Sequence, residues 1–183
     1  MSNKTQYVAI SGLIAALYVV LTFVSSMIGL SSGAIQVRLS EALNVLVCFT
    51  GAAVPGLTIG CFAANLLTGG CALDIVVGSA ATLVGAYIGR NISVRSHGKL
   101  DVCSPLGTVL ANALVVPFVL INGYGINLPY HYLFCTVGIG EIVSAWAVGI
   151  LVYKVCRAVP YLNRMRYAES TKIGSSTKEE DLV

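Results

Sequence analysis

Charge is what this sequence has least of. Its 183 residues include 11 Lys and Arg and 8 Asp and Glu, so only 10% of the chain is charged, whereas a soluble domain averages about 25%. Hydrophobic residues make up 56% of the chain, and the mean hydropathy is +0.84. A chain this short cannot hide so much apolar material in one aqueous core. The composition therefore excludes soluble globular, disordered and coiled-coil proteins and predicts an integral membrane protein.

The motifs of catalysis and of metal binding are also missing. The sequence contains no Walker phosphate loop, no His-Glu-x-x-His and no Gly-x-Ser-x-Gly elbow. Its six cysteines show no metal-ligand spacing, although Cys71 and Cys135 fall on the same predicted side of the membrane and leave a disulfide open. We therefore expect neither an enzyme nor a metal or cofactor site in this chain.

Long apolar runs are present instead, and they predict six transmembrane helices. The first run has 24 residues without a charge, longer than the apolar core of a signal peptide. Pro55-Gly56 is a turn signal that separates the second run from the third. The sequence after Asn122, including Gly123-Tyr124-Gly125, is predicted to form a loop. The six runs cover 7–30, 39–54, 56–67, 73–88, 106–121 and 133–153.

The basic residues predict the orientation of this six-helix bundle. Cytoplasmic segments carry an excess of Lys and Arg in membrane proteins. With both termini cytoplasmic, ten basic residues lie inside and only Arg38 lies outside. The inside set is Lys4, Arg90, Arg95, Lys99, Lys154, Arg157, Arg164, Arg166, Lys172 and Lys178. We predict one membrane domain over 1–158 and a disordered cytoplasmic tail over 159–183, which is rich in Ser, Thr, Lys and Glu.

A few polar residues inside the apolar blocks are costly and need an explanation. An ionised side chain at the centre of a bilayer costs about 2.5–3.5 kcal/mol even on insertion scales, and a buried carboxamide is also costly without a hydrogen bond. These residues are Arg38, Glu41, Asn44, Asn65, Asp74, Asn112 and Glu141. The predicted topology brings the four charged ones toward the outer leaflet, with Asn65 near the outer end of the third predicted helix and Asn112 in the middle of the fifth.

A structural explanation of this set is an Arg38–Glu41 ion pair together with hydrogen bonds between helices. It accounts for single residues but not for the group, because one arginine cannot neutralise three carboxylates. The remaining charge of −2 suits a ligand rich in N–H donors. Glu141 has no basic residue on its own predicted helix before Lys154, so we expect it to accept from the ligand. The residues thus predict an outward-facing polar binding pocket.

Small residues spaced four apart form a second pattern. Such spacing lets helices approach closely in lipid, and for pairs such as Gly56 and Gly60 or Gly85 and Gly89 we expect packing within the bundle. The first predicted helix carries a cluster of four small residues, which could also dock another subunit. These are Ser11, Gly12, Ala15 and Ala16.

Six sequence blocks together resemble the QueT family. They are IQVRLSEAL at 35–43, VPGL at 54–57, GCFAANLL at 60–67, LDIVVGSAATL at 73–83, ANAL at 111–114 and VGIGE at 137–141. The resemblance covers roughly residues 7–158, with the blocks in the family's order. Val47 and Ala34 depart from it, since the family has proline at these positions.

This resemblance implies the substrate-binding S component of an energy-coupling factor transporter in a bacterial cell membrane. Its partners would be a membrane-embedded coupling subunit and two ATP-binding cassette ATPases, which use the ATP, so this chain needs no cofactor. Its ligand would be a queuosine precursor: 7-aminomethyl-7-deazaguanine, the 7-cyano form or queuine. Members of the family dock through small residues of the first helix, a role that Ser11, Gly12, Ala15 and Ala16 match.

Two other functions are weighed against this one. A proton-coupled secondary permease for a small cationic or nucleobase-like solute would use Glu41, Asp74 and Glu141 as a carboxylate relay. A membrane enzyme is disfavoured, because no nucleophile, base or metal constellation is present in the sequence.

Overall fold

The computed structural model describes residues 3–29 and 37–166, and within these ranges the chain is all-helical, without strands. Between residues 3 and 158 the described chain forms five α-helices and one long 3₁₀ helix: α1 (Asn3–Met27), the 3₁₀ helix (Leu39–Cys48), α2 (Ala53–Leu67), α3 (Asp74–Arg95), α4 (Leu106–Tyr124) and α5 (Tyr130–Ala158). Ala34 and the Ile-Gln pair at 35–36 lie outside the described residues.

Four of the helices are long and apolar enough to cross a membrane, namely α1, α3, α4 with the turn before it, and α5. The expectation of an all-α, multi-pass membrane protein is confirmed. The 3₁₀ helix has 10 residues and α2 has 15, so each is only about 20 Å long. Each of the six predicted runs overlaps one of the helices, while the count of six spans and the cytoplasmic termini stay predictions.

Three of these segments depart from regular α-helix. The run 39–54, predicted as one α-helix, begins as a 3₁₀ helix, although 3₁₀ stretches of this length are uncommon. π-helical turns open α3 at Asp74–Gly78 and interrupt α5 at Ile142–Val148. Tyr124, predicted to lie in a loop, is the last residue of α4. It stays helical because Gly125, in the left-handed conformation, caps the helix only after it.

The connecting segments lie at two opposite ends of the bundle. Gln6, near the start of α1, donates to the Tyr161 hydroxyl over 2.5 Å, and the Tyr7 hydroxyl donates to the carbonyl of Gly51 over 3.2 Å. We call this end the Arg166 end. The start of the 3₁₀ helix lies at the other end, which we call the Arg38 end, beside the start of α3.

The 3₁₀ helix forms the centre of the core, with α1, α3 and α5 packed around it. Eight of its ten residues are buried, and the adjacent Phe49 ring lies 5.4 Å from the Tyr153 ring. Irregular backbone at membrane depth is tolerated where protein rather than lipid surrounds it. A short helix can therefore hold Glu41 and Asn44 deep inside the bundle.

Close packing of α1 on α2 depends on small residues, as predicted for Gly56 and Gly60. A Cβ atom added at Gly60 would lie 2.7 Å from the Tyr18 Cβ and 3.0 Å from the Ala15 Cα. The Ser11 hydroxyl donates to the carbonyl of Ala52 over 2.8 Å. Ser11 and Ala15 thus take part in a contact inside the bundle, and their docking role stays a prediction.

Gly12 and Ala16 lie on the other side of α1 and are exposed. The four small residues divide between two faces because successive helix positions are about 100° apart.

The segment after Ala158 begins with a short helix. Residues 160–166, within the tail predicted to be disordered, are helical. Arg166 explains this order, because its Nη2 lies 2.5 Å from the Asp101 Oδ2 in an ion pair. Residues 167–183 of that tail lie outside the described residues. Cys71 and Cys135 are both free thiols, so the disulfide between them is not formed.

Candidate functional site

Arg38 joins three of the helices at its end of the bundle. Its Nη2 lies 3.5 Å from Asp74 Oδ2 at the start of α3, and its Nη1 donates to Asn65 Oδ1 near the end of α2 over 3.2 Å. The carbonyl of Asp74 in turn accepts from Asn65 Nδ2 over 3.2 Å. Arg38 therefore pairs with Asp74 and not with Glu41, the partner named in the structural explanation of the sequence.

The Glu41 carboxylate is bound by side chains other than Arg38. The Tyr18 hydroxyl donates to Glu41 Oε1, and Asn44 Nδ2 donates to Glu41 Oε2 over 2.7 Å. Asn44 Oδ1 accepts from the Thr108 hydroxyl over 3.0 Å. Both oxygens of this buried acid are thus satisfied within the chain, and Asn44 holds Glu41 in place.

Two cavities adjoin Arg38. The first has a volume of about 300 Å³, and we call it the larger cavity. Small-molecule sites range from about 300 to 1,000 Å³, so this cavity suits a small ligand. The Arg38 side chain is 23% exposed. The lining residues are Thr22, Ser26, Arg38, Asn65, Thr68, Gly69, Gly70, Asp74, Val116, Val119, Leu120, Tyr124 and Ile126.

A second, inner cavity of about 20 Å³ has room for about one water molecule. Arg38, Asp74 and Val116 line both cavities and so form the wall between them. The other residues that line the inner cavity are Glu41, Cys61, Gly78, Thr82, Asn112, Val137 and Glu141. The two cavities together include six of the seven predicted binding residues, and Asn44 contacts the set through Glu41.

Glu141 lies at the inner cavity with only half of its carboxylate satisfied. Asn112 Nδ2 donates to Glu141 Oε1 over 2.9 Å, while Oε2 is buried and has no hydrogen-bond partner among the described residues. Buried polar atoms are rarely left in this state, because an unmade hydrogen bond costs about 1–3 kcal/mol. Glu141 is the last residue before the π-helical turn of α5, a type of turn that frequently occurs at functional sites.

The charges of the site divide into a closed pair and two remaining acids. Arg38 and Asp74 pair with each other, and no cationic group pairs with Glu41 or Glu141 in the part of the chain that the structure describes. This distribution matches the excess of two carboxylates expected from the composition. No cluster of three or more His, Cys, Asp or Glu suitable for a metal ion occurs among residues 3–29 and 37–166. The site is built to accept hydrogen bonds.

Two tyrosines of the site were not found from the sequence. Tyr18 is completely buried and donates to Glu41, and Tyr124 donates to Asp74 Oδ2 over 2.8 Å. Tyr18 falls seven residues after Ser11 and four before Thr22, on one face of α1, so helical spacing was the available signal. Tyr124 carries no such signal, because the sequence after Asn122 predicts a loop rather than a helix.

A family model described as QueT transporter matches residues 8–158. The chain is also similar to a protein of Lactococcus lactis subsp. cremoris (strain MG1363) named Queuosine precursor transporter QueT. The two are 26% identical over 163 residues, which cover 86% of this chain and 96% of that protein. No solved structure matches the chain significantly.

Proposed function

Because the chain belongs to the QueT transporter family, we propose that it is the solute-binding S component of an energy-coupling factor importer for a queuosine precursor. The chain is a multi-pass membrane protein of a transporter family and not an enzyme. The name of the Lactococcus relative supports the class of substrate. The polar site at the Arg38 end supports solute binding by this chain itself.

The proposed ligand is a 7-deazaguanine, in the 7-aminomethyl form, the 7-cyano form or as queuine. Its ring offers an N–H and an exocyclic amine side by side, a pair of donors that one carboxylate can accept. The observation that carries the proposal is the buried Glu141 Oε2, which has no hydrogen-bond partner among the described residues. A ligand N–H would supply the missing donor.

The ring would first occupy the larger cavity, because the inner cavity of about 20 Å³ is too small for it. Arg38 and Asp74 stand between the two cavities. Contact between a ligand and Glu141 therefore requires one of these side chains to move. The Asp74 carboxylate, released from Arg38, would be a second acceptor for a ligand ammonium, and the guanidinium a donor to the ring carbonyl.

The proposed partners are a membrane-embedded coupling subunit and two ATP-binding cassette ATPases. ATP would be hydrolysed by those subunits, since this sequence has no phosphate loop. The proposed docking surface is the exposed face of α1 around Gly12 and Ala16, which also carries exposed Leu13, Leu17 and Val20. Small residues on such a face let a partner helix approach closely.

Uptake of labelled 7-aminomethyl-7-deazaguanine into proteoliposomes tests this function. We expect uptake only when the chain is reconstituted with the coupling subunit and both ATPases, with ATP on the ATPase side. An uncoupler that dissipates the proton gradient should leave that uptake unchanged. Uptake by the chain alone that stops on addition of the uncoupler would instead identify a proton-coupled permease.

A further inference from the structure

Another polar cavity, separate from the larger and inner cavities, lies at the Arg166 end, opposite the site described above. Its volume is about 240 Å³, and basic groups from three parts of the chain converge on it. We call it the basic cavity. The polar residues that line it are Arg90, Ser93, His97, Lys99, Arg157 and Arg166.

Four permanently charged cations line this cavity, and Asp101 is the acid near them among the described residues. The Asp101 carboxylate is already occupied: it accepts from the Ser93 hydroxyl over 2.6 Å and the Tyr153 hydroxyl over 2.8 Å, and Arg166 lies 2.5 Å away. Lys99 and Arg157 have no carboxylate within ion-pair distance in the described part of the chain. The basic cavity therefore carries an excess of positive charge that suits an anion.

Two of the cations are held in position. Arg90 Nη1 donates to the carbonyl of Val47 over 2.8 Å, and Arg166 is fixed by Asp101. Gly98 adopts a φ of +77°, and a Cβ atom there would lie 1.6 Å from Arg166 Nη2. The turn at 96–100 thus closes directly over the Arg166 guanidinium, which gives the cavity a formed wall rather than a loose surface of lysines.

The surroundings of the basic cavity point to a lipid as the source of the anion. Arg90 lies near the end of the candidate span Asp74–Arg95, so the cavity lies at one end of a helix that is apolar and long enough to cross a membrane. Large apolar side chains beside its lining residues are exposed, including Leu100 at 52% and Val155 at 68%. In a membrane such side chains face acyl chains, and basic pockets between helices on the cytoplasmic side bind anionic head groups.

We propose that the basic cavity binds the phosphate of an anionic phospholipid head group, with Lys99 and Arg157 as its principal cations. The acyl chains of that lipid would lie along exposed apolar side chains such as Leu100 and Val155. The bound lipid would hold the turn at 96–100 against the end of α5.

Titration of the full-length chain in detergent with dioctanoyl phosphatidylglycerol and dioctanoyl phosphatidylcholine, followed by native mass spectrometry, tests this proposal. We expect phosphatidylglycerol to bind at least about 10-fold more tightly. The double variant Lys99→Gln/Arg157→Gln should lose about 30-fold in that affinity, as expected for two basic groups near an anionic surface. The swap Lys99→Arg/Arg157→Lys keeps both charges and should bind as the unmodified chain does.

The matched control is Arg95→Gln/Lys154→Gln, which removes the same charge from exposed positions at the same end but outside the cavity. An equal loss in this control would show a general surface field and overturn the proposal. Equal affinity for the two lipids, or competition by inorganic phosphate at the affinity of the lipid, would also overturn it. The proposal would also be overturned if phosphatidylglycerol bound only after Glu179, Glu180 and Asp181 were replaced by neutral residues. In that case the anions that occupy the cavity of the unmodified chain would be its own carboxylates.

Discussion

Glu41 and Glu141 are two buried acids with different hydrogen bonding, and this difference assigns them different roles. Both oxygens of Glu41 accept from side chains of the protein, Tyr18 and Asn44. Glu141 accepts from Asn112 through one oxygen, while the other has no partner among the described residues. Glu41 is therefore expected to stabilise the fold, and Glu141 to bind the ligand.

Glu141→Gln should weaken ligand binding far more than it affects folding. The amide keeps the shape of the side chain but replaces one acceptor by a donor that faces the donors of the ligand. A hydrogen bond to a charged group contributes about 1.5–3 kcal/mol, so the affinity should fall roughly 10- to 150-fold. Titration calorimetry measures this loss, and thermal unfolding of the ligand-free variant should occur at no lower a temperature.

Glu41→Gln is the matched control for this substitution. Its new amide donor would face either the Tyr18 hydroxyl or the Asn44 amide, which both donate to Glu41, and the lost hydrogen bond should lower the unfolding temperature. If Glu141→Gln instead unfolds early and binds normally, Glu141 is a structural residue and the ligand lies elsewhere.

The cost of burying polar groups is enough to group seven residues from the sequence but not to pair them, and their role in ligand binding stays a prediction. All seven selected side chains lie in or beside the two cavities. The sequence offers Glu41 as a partner for Arg38 because the two are neighbours on one predicted helix. The pairing with Asp74 depends on how the 3₁₀ helix is rotated against α3, and no local sequence pattern specifies that rotation.

At the scale of the elements, the close contact between α1 and α2 depends on Gly60. Gly60→Ala should destabilise the protein, because the added methyl group would lie 2.7 Å from the Tyr18 Cβ and 3.0 Å from the Ala15 Cα and carbonyl oxygen. Such overpacking typically costs about 1–3 kcal/mol. Thermal unfolding in detergent measures the loss. Gly12→Ala is the control, since nothing lies within 4 Å of its added Cβ; equal unfolding temperatures for the two variants would contradict the α1–α2 contact.

The exposed face of α1 makes a different prediction. Ala16→Leu should leave ligand binding and thermal unfolding unchanged while it lowers recovery of the coupling subunit in a pull-down, because a larger side chain keeps the partner helix away. Ala15→Leu, on the face that contacts Gly60, should lower the unfolding temperature. Full recovery of the coupling subunit with Ala16→Leu would show that docking uses another surface.

The apolar runs were sufficient to predict the existence of the helices, but not their type. The run at 39–54 is apolar on nearly every side, which agrees with its buried position in the centre of the bundle. Hydrophobicity does not distinguish 3₁₀ or π turns from α-helix, because each of them is set by small shifts in backbone hydrogen bonding. The three irregular segments, all next to Glu41, Asp74 or Glu141, were therefore invisible in the sequence.

At the scale of the whole molecule, the predicted orientation depends on how the basic residues are distributed between the two ends of the bundle. Arg38 lies at one end of the bundle, while Arg90, Lys99, Arg157 and Arg166 line a cavity at the other. The ten-to-one distribution of basic residues predicts that this second end is cytoplasmic. Charge asymmetry can predict sidedness from sequence alone, whereas the lengths of the two short helices depend on the packing around them.

Labelling of single cysteines in a cysteine-free background tests the orientation. An impermeant maleimide added to intact cells should modify Asn127→Cys, in the exposed connector before α5, but should modify Ser96→Cys only after the membrane is permeabilised. Ready labelling of Ser96→Cys in intact cells would contradict the predicted topology.

Direct binding of the three 7-deazaguanines to the purified chain tests the central claim, solute recognition by this subunit alone. Titration calorimetry with 7-aminomethyl-7-deazaguanine, the 7-cyano form and queuine, with guanine and adenine as controls, gives the comparison. One of the three should bind with one-to-one stoichiometry and at least about 10-fold more tightly than guanine, which lacks the 7-substituent and its hydrogen bond. Equal binding of guanine, or no binding of any deazaguanine by a folded chain, would contradict the account.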